Sequence, residues 1–182
     1  RQAGIMAEAR AIGMPDIAVS AEVGRLLMML TSMTAATTAL ELGTLAGYSG
    51  IWLARGLRPG GRLHTVELET LHADFAERQF EIAGVAERVT LHRGAALEVL
   101  PALAAELGPD SLDVAFIDAV KAEYHDYWLH IRPLIRPGGL IIADNVYGAG
   151  WWIGDEDDPS RAAVDRFNRS VADDPEFEAV AV

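Results

Sequence analysis

The chain contains a single lysine, Lys121, among 15 lysine and arginine residues. It lies in the stretch FIDAVKAEY, three residues after Asp118. A guanidinium stays protonated at any working pH, whereas an ammonium can give up its proton. Lys121 is therefore either a candidate general base or an accident of an arginine-rich composition, and its surroundings must decide between the two.

Three oxygen-bearing side chains end two apolar runs near this lysine. Asp118 ends LDVAFID, and Asp144 and Asn145 end LIIADN. Consecutive parallel strands usually lie side by side, about 4.8 Å apart, so we expect the three side chains to converge. Two close carboxylates repel each other unless a proton or a cation lies between them. The alternative is that each aspartate caps the helix that follows its strand.

Carboxylate and amide oxygens suit Mg²⁺, Ca²⁺ or Mn²⁺ better than Zn²⁺. The three side chains together therefore favour a divalent-cation site. Lys121 would then lie on the rim of that site. There it could take the proton of a substrate hydroxyl that the cation makes more acidic.

A glycine-rich turn, ELGTLAGYSG at 41–50, follows the first apolar run. Gly43 and Gly47 allow a close backbone approach, and the next helix offers free N–H groups to an anion. The turn is not a dinucleotide fingerprint, because Leu45 occupies the second glycine position. It is not a hydrolase elbow either, because Gly50 comes one residue early. By itself it is equally consistent with a plain strand-to-helix loop.

Glu67 ends the second apolar run, roughly 20 residues beyond the turn, where many nucleotide-binding α/β folds carry the carboxylate that binds the ribose hydroxyls. The alternative is a solvated strand end. Together, the turn and Glu67 indicate a ribose-containing cofactor, held by a turn that differs from the NAD type.

The elements that must position these residues alternate along the chain. Strands are predicted at 37–42, 62–68, 88–94, 112–118 and 140–145. Helices are predicted at 18–33, 49–57, 69–84, 95–107, 121–135 and 160–172, before a final apolar run FEAVAV. This alternation predicts an α/β fold with a doubly wound, mostly parallel sheet and helices on both faces. Such sheets bind ligands beyond the carboxyl ends of their strands, where all the candidates lie.

The composition narrows the function classes. With 182 residues, one domain is expected. The net charge of −12 argues against non-specific binding to nucleic acid or to an anionic membrane. No cysteine is present, which excludes disulfides and a cysteine nucleophile. No apolar run approaches the roughly 18 residues that span a bilayer, and we expect a cytoplasmic protein.

Four stretches, LELGTLAGYSG, TVELE, FIDAVKAEY and RPGGLIIADNVYGAG, occur together and in order. They resemble the cation-dependent, S-adenosylmethionine-dependent O-methyltransferases of the catechol and caffeoyl-CoA type. The resemblance runs from about Val19 to the end of the chain. It implies one Rossmann-like class I methyltransferase domain over 1–182, shortened at both termini, with a further strand expected after Val182.

The resemblance also implies roles for individual residues. S-adenosylmethionine would lie across the first turn, with its ribose on Glu67. Its methionine end would meet Glu41, Gly43, Tyr48 and Ser49, and further cofactor contacts would come from Val19, Gly94, Ala95 and Asp118. The cation, Mg²⁺ or else Mn²⁺ or Ca²⁺, would bind Asp118, Asp144 and Asn145. Lys121 would be the general base.

The chain departs from the family pattern at two places. Plant members often read D-A-D-K where this chain has Val120 before Lys121, which argues against a caffeoyl-CoA substrate. The segment WWIGDEDDP has no counterpart we can match. Its Trp151 and Trp152 either wall an aromatic substrate or pack in a core or dimer, and its acidic residues read as a solvated loop.

The leading hypothesis is therefore a homodimeric enzyme that methylates one hydroxyl of a small, catechol-like vicinal diol. One rival is an NAD-type dehydrogenase, which Leu45 disfavours and which leaves Asp144 and Asn145 without a task. The other rival is a non-catalytic nucleotide-binding scaffold with a structural acidic cluster.

Overall fold

The computed structural model describes residues 2–147 and 157–181. Five parallel strands form one sheet, in the order β3-β2-β1-β4-β5. The strands are β1 (Thr38–Leu42), β2 (Arg62–Glu67), β3 (Val89–Arg93), β4 (Leu112–Ile117) and β5 (Ile135–Ala143). The helices are α1 (Gln2–Ala11), α2 (Ala21–Met33), α3 (Tyr48–Gly56), α4 (Thr70–Ala83), α5 (Ala96–Leu107), α6 (Tyr124–Ile131) and α7 (Pro159–Ala172).

The strand order reverses at β1. From β1 the chain first builds outward through β2 and β3, then returns to add β4 and β5 on the other side. Leu42 of β1 is paired with Val66 of β2 and with Ile117 of β4. The carboxyl ends of β1, β2 and β4 are therefore neighbours, which is where a doubly wound sheet binds its ligand.

Helices cover both faces of the sheet, and β4 contributes alternate residues to each side. Val114 and Phe116 join a core cluster with α1 to α4, whereas Ala115 and Ile117 join a second cluster with α5 to α7. A strand buried on both faces reads as a nearly continuous apolar run, and this is why β1 and β4 were visible in the sequence. The predicted fold class is confirmed.

The fifth strand begins at Ile135, not at 140 as the sequence suggested. Ile135 pairs with Leu112, and Leu140 pairs with Val114. An advance of five residues along β5 therefore matches an advance of only two residues along β4. The Pro137-Gly138-Gly139 signal therefore marks a bulge inside the strand. Arg136 holds the bulge, because its Nε donates to Asp113 Oδ1 over 2.5 Å.

The helix predicted at 121–135 is three pieces. A 3₁₀ turn, Lys121–Glu123, leads into α6, and a second 3₁₀ turn, Arg132–Leu134, ends it. Helix α6 ends before Pro133 because proline has no backbone N–H to donate to the next helical hydrogen bond. The first turn matters for the site, because it carries Lys121.

The N-terminal residues form a helix, α1, that the sequence analysis did not predict. Helix α1 buries Ile5, Met6 and Ala9 in the first core cluster. Helix α2 begins at Ala21, three residues later than predicted, because Ser20 caps it by accepting the Val23 N–H. Among the helices that the structure describes, none is long and apolar enough to cross a membrane.

Candidate functional site

The turn between β1 and α3 presses its backbone against the end of β4. Gly43 has φ +95°, and a Cβ there would overlap the carbonyl oxygen of Asp118. Only glycine fits this position without moving β4. Leu45, at the place of the missing second glycine, also lies in the left-handed region at φ +48°. The turn after β1 and the carboxyl end of β4 therefore form one continuous surface.

Glu67 holds that turn from β2. Its Oε2 accepts the Leu45 N–H over 2.8 Å, and its Oε1 accepts the Glu69 N–H over 3.0 Å. His72 Nδ1 lies 3.3 Å from the same Oε1. The side chain is buried, not solvated as a plain strand end would be. A carboxylate fixed by backbone donors at a strand end is oriented to accept further hydroxyl groups.

Glu41 is fully buried under the turn. Its Oε2 accepts from Thr65 Oγ1 over 2.6 Å, while its Oε1 has no hydrogen-bond partner among the described residues. Burial raises the pKa of Glu41 to about 7. The hydroxyls of Ser49 and Thr65 oppose the rise, although Ser49 does not satisfy Oε1. Gly50 allows this arrangement, since a Cβ there would be 2.8 Å from Oε2.

An unpartnered buried acceptor is costly, so Glu41 Oε1 needs a donor that residues 2–147 and 157–181 do not supply. Tyr48 and Ser49, the first two residues of α3, are buried, and the Ser49 hydroxyl acts on Glu41. That Glu41, Gly43, Tyr48 and Ser49 meet the methionine end of a cofactor stays a prediction.

The remaining predicted cofactor contacts lie at strand and helix ends. Gly94 follows β3 and donates its N–H to the Glu67 carbonyl over 2.9 Å. Ala95 is the N-cap residue of α5. Val19 is buried just before α2. Gly94 is thus directly linked to Glu67, and Val19 belongs to the same core cluster as Ala46 and Tyr48 of the turn.

Lys121 reaches back to Asp118. Its Nζ lies 2.8 Å from Asp118 Oδ1 and 2.6 Å from the Tyr124 hydroxyl, and 15% of its side chain is exposed. Burial raises the pKa of Asp118, Asp144 raises it further, and Lys121 opposes both. The carboxylate is therefore unstable as an isolated charge, and positive charge at this point stabilises it.

Asp144 and Asn145 lie at the neighbouring strand end. The Asp144 N–H donates to the Ile117 carbonyl over 3.0 Å, which extends the β4–β5 pairing by one step. Asn145 has φ +60°, and its N–H donates to Asp144 Oδ1 over 2.9 Å. Asparagine tolerates this left-handed conformation better than most residues. Asp144 lies close enough to Asp118 for its charge to raise the pKa of Asp118, while the convergence of all three side chains stays a prediction.

Tyr124 belongs to the same cluster, and the sequence analysis did not single it out. The residue is completely buried, and its hydroxyl lies 3.1 Å from the Ile117 carbonyl and 3.0 Å from the Asp144 carbonyl. The available signal was its spacing, three residues after Lys121 in a helical turn, which puts both on one face.

Some predicted features are not tested by the geometry. Trp151, Trp152 and Asp155 lie outside the described residues. Asp158 caps α7 by accepting the Ser160 N–H, so this acidic residue has a structural task. Over 2–147 and 157–181, no group of three or more His, Cys, Asp or Glu side chains could hold a metal ion. The predicted cation ligands comprise two carboxylates and one amide.

Comparisons with known proteins show the family to which the chain belongs. A family model described as O-methyltransferase matches residues 5–182. A catechol O-methyltransferase of Niastella koreensis is 42% identical over 157 residues, 86% of this chain and 71% of that protein. Another, of Mycobacterium tuberculosis, is 39% identical over 180 residues, 99% of this chain and 80% of that protein.

Solved structures give the same result. An O-methyltransferase from Bacillus cereus in complex with SAH superimposes with a TM-score of 0.88 at 37% identity, covering 95% of this chain and 79% of that one. An O-methyltransferase from Streptomyces achromogenes involved in tomaymycin synthesis, in complex with SAM, gives 0.85 at 38% identity, covering 93% and 76%. This chain therefore belongs to the O-methyltransferase family, and its fold is that of the class I methyltransferases.

Proposed function

We propose that this enzyme transfers the methyl group of S-adenosylmethionine to one hydroxyl of a catechol-like aromatic diol, with the help of a divalent cation. The observation that carries the proposal is the Lys121–Asp118 pair beside Asp144, directly against the glycine turn. A proton acceptor, hard oxygen ligands and a cofactor-type turn thus share one strand-end surface. The names of the relatives, catechol O-methyltransferases, support the substrate class.

The cofactor residues fit their proposed roles by their hydrogen-bonding capacity. Glu67, fixed by the Leu45 and Glu69 amides, would accept the ribose hydroxyls. Glu41, with its unpartnered Oε1, would accept the cofactor's ammonium directly or through one water molecule. The cofactor supplies an electrophilic methyl group on sulfur. Tyr48 and Ser49 would line its methionine end, Gly94 and Ala95 its adenine end, and Val19 its edge.

The proposed cation ligands are Asp118, Asp144 and Asn145. Lys121 and the Asn145 amide each engage an Oδ1 atom, which leaves Oδ2 of both carboxylates as candidate ligands. Burial, and to a smaller extent the charge of Asp144, raise the pKa of Asp118, and a cation would stabilise both carboxylates. An all-oxygen set favours Mg²⁺, with Mn²⁺ or Ca²⁺ as substitutes. Such a cation lowers the pKa of a bound hydroxyl.

The chain's own residues then do three things. The strand ends orient the diol beside the cofactor, and holding two reactants in line contributes much of the rate enhancement. Lys121 takes the proton from the hydroxyl that receives the methyl group. Asp118 holds the lysine amine at that point, 2.8 Å away. The homodimer and the cytoplasmic location remain predictions.

The proposed function is tested by methyl transfer from labelled S-adenosylmethionine to a panel of phenols with Mg²⁺ present. Vicinal diphenols should accept the label, and monophenols matched for size should accept it far more slowly, because they offer a single oxygen to the cation. Equal labelling of both classes would contradict the diol assignment. Reduction or oxidation of a nicotinamide cofactor would instead favour the dehydrogenase alternative.

Cofactor binding should depend on pH through Glu41. With a pKa of about 7, Glu41 is protonated at pH 6 in the free enzyme, and an ammonium-bearing ligand must displace that proton. Binding of S-adenosylhomocysteine should therefore release a proton and strengthen as pH rises through 7. We expect a Kd about tenfold weaker at pH 6 than at pH 7.5, measured by calorimetry.

Glu41→Gln is the matched variant, because it keeps the shape and removes the titrating group. It should bind S-adenosylhomocysteine more weakly at both pH values and show little change between them. A wild-type Kd that is equal at pH 6 and pH 7.5 would remove Glu41 from the ammonium site.

A further inference from the structure

Tyr124 ties together the two strand ends and the lysine. Its hydroxyl oxygen lies within hydrogen-bond distance of the Ile117 carbonyl, the Asp144 carbonyl and Lys121 Nζ. Ile117 is the last residue of β4 and precedes Asp118, while Asp144 is the first residue after β5. A single buried atom therefore contacts every segment that carries a candidate cation ligand or the candidate base.

The hydrogen-bond roles of this phenol are fixed by its chemistry. As an ammonium, Lys121 Nζ only donates, so in that state the Tyr124 oxygen accepts from it over 2.6 Å. The hydroxyl has one proton, which it shares between the two carbonyls. Burial raises the pKa of Tyr124, and the charges of Asp118 and Asp144 raise it further, so the phenol stays a donor at working pH.

Neighbouring aromatic rings restrain the Tyr124 ring and thereby the position of its hydroxyl. Tyr124 packs edge-on against Phe167 of α7, with ring centroids 5.7 Å apart. Its ring also packs, tilted, against that of Tyr127, with centroids 6.1 Å apart. The ammonium of Lys121 also lies 4.7 Å from the Tyr124 ring centroid. The lysine is therefore held from two sides, by Asp118 and by Tyr124, with only a small part of its side chain exposed.

We infer that Tyr124 is a positioning residue, whose hydroxyl sets the direction of the Lys121 amine and the spacing of the β4 and β5 ends. The inference rests on the proposed function for its effect on catalysis, but not for its effect on Lys121. Beyond Ile117 and Ala143 one more backbone hydrogen bond joins the two strands, from the Asp144 N–H to the Ile117 carbonyl. The Tyr124 hydroxyl adds a contact to the carbonyls of these same two residues. Tyr124 thereby acts on the reaction through other groups, without touching substrate.

Tyr124→Phe tests this, since it removes one oxygen and keeps the ring. The matched control is Tyr127→Phe, on the same helix, where an equally buried phenol donates to Glu123 Oε2 over 2.5 Å. Both changes remove one buried hydroxyl and should lower the thermal midpoint to a similar degree. Only Tyr124→Phe should lower kcat, by about 10–10²-fold, the usual result of small misplacements of a reacting group. Its Kd for S-adenosylhomocysteine should stay within about twofold of wild type.

A second measurement follows the chemical labelling rate of Lys121 in the absence of substrate. Because the chain has one lysine, reductive methylation with ¹³C-formaldehyde gives a single lysine signal in the NMR spectrum. Loss of the Tyr124 oxygen should speed the labelling of Lys121 several-fold, whereas Tyr127→Phe should leave the labelling rate at the wild-type value. Combined with Lys121→Met, Tyr124→Phe should lower kcat little further, because both changes remove the same contribution.

The outcomes distinguish the positioning role of Tyr124 from the proposed function. An unchanged labelling rate in Tyr124→Phe overturns the positioning role, whatever the enzyme methylates. Equal changes in kcat and labelling for both tyrosine variants overturn it as well, because they point to general loosening of α6. Faster labelling specific to Tyr124→Phe, in an enzyme that methylates no diol, supports the role and contradicts the proposed function.

Discussion

EDTA should abolish methyl transfer to a catechol, and Mg²⁺ or Mn²⁺ should restore it. The physical reason is that Asp118 and Asp144 carry like charges at adjacent strand ends, where burial already raises the pKa of Asp118. Without a cation, a diol that approaches these carboxylates loses the charge that would hold and acidify its hydroxyls. The measurement is the initial rate with labelled cofactor, before and after removal of the chelator.

Two measurements distinguish loss of the cation from general damage. Binding of S-adenosylhomocysteine should survive EDTA, since Glu41 and Glu67 hold the cofactor without the cation in the proposed arrangement. Direct Mn²⁺ binding, followed by electron paramagnetic resonance, should weaken by about 10–100-fold or more in Asp144→Asn. Full turnover in excess chelator would contradict the cation-dependent proposal and leave Asp118 as a partner of Lys121 alone.

The fold could be predicted because both sides of the sheet are buried. Alternate residues of β4 enter different core clusters, so the strand is apolar apart from Asp113 and easy to recognise. The bulge in β5 could not be predicted, because Pro137-Gly138-Gly139 reads as a turn. What keeps it in the strand is Arg136 bonded to Asp113, a contact between residues distant in sequence.

Only part of the candidate site could be predicted, because some of its contacts join residues that are distant in sequence. Asp118, Asp144 and Asn145 are visible as polar residues that end apolar runs. Tyr124 is not visible in this way, because an aromatic residue in an amphipathic helix reads as core. Its hydroxyl matters only through two carbonyls and one amine that the fold brings to it. The unpartnered Oε1 of Glu41 depends likewise on tertiary packing around Ser49 and Thr65.

Lys121→Arg should keep the fold and the cofactor affinity but lose turnover by about 10²–10⁴-fold, the share that general base catalysis usually contributes. Arginine can repeat the ion pair with Asp118, yet it cannot release a proton. The loss should appear mainly in kcat, because the proton moves only in the transition state. Steady-state kinetics on an ordinary catechol at neutral pH measures it, and Lys121→Ala should give a similar value.

An exposed position provides the control for the exchange itself. Arg169 of α7 makes an exposed ion pair with Asp165, and Arg169→Lys should leave kcat unchanged. A second control uses the substrate, because a nitrocatechol is acidic enough to need little help from a base. Its turnover should be nearly the same in wild type and Lys121→Arg. If Lys121→Arg keeps a near-wild-type kcat on the ordinary catechol, the lysine only orients the substrate. The cation alone then suffices to acidify the hydroxyl, and the single lysine in an arginine-rich chain has no part in proton transfer.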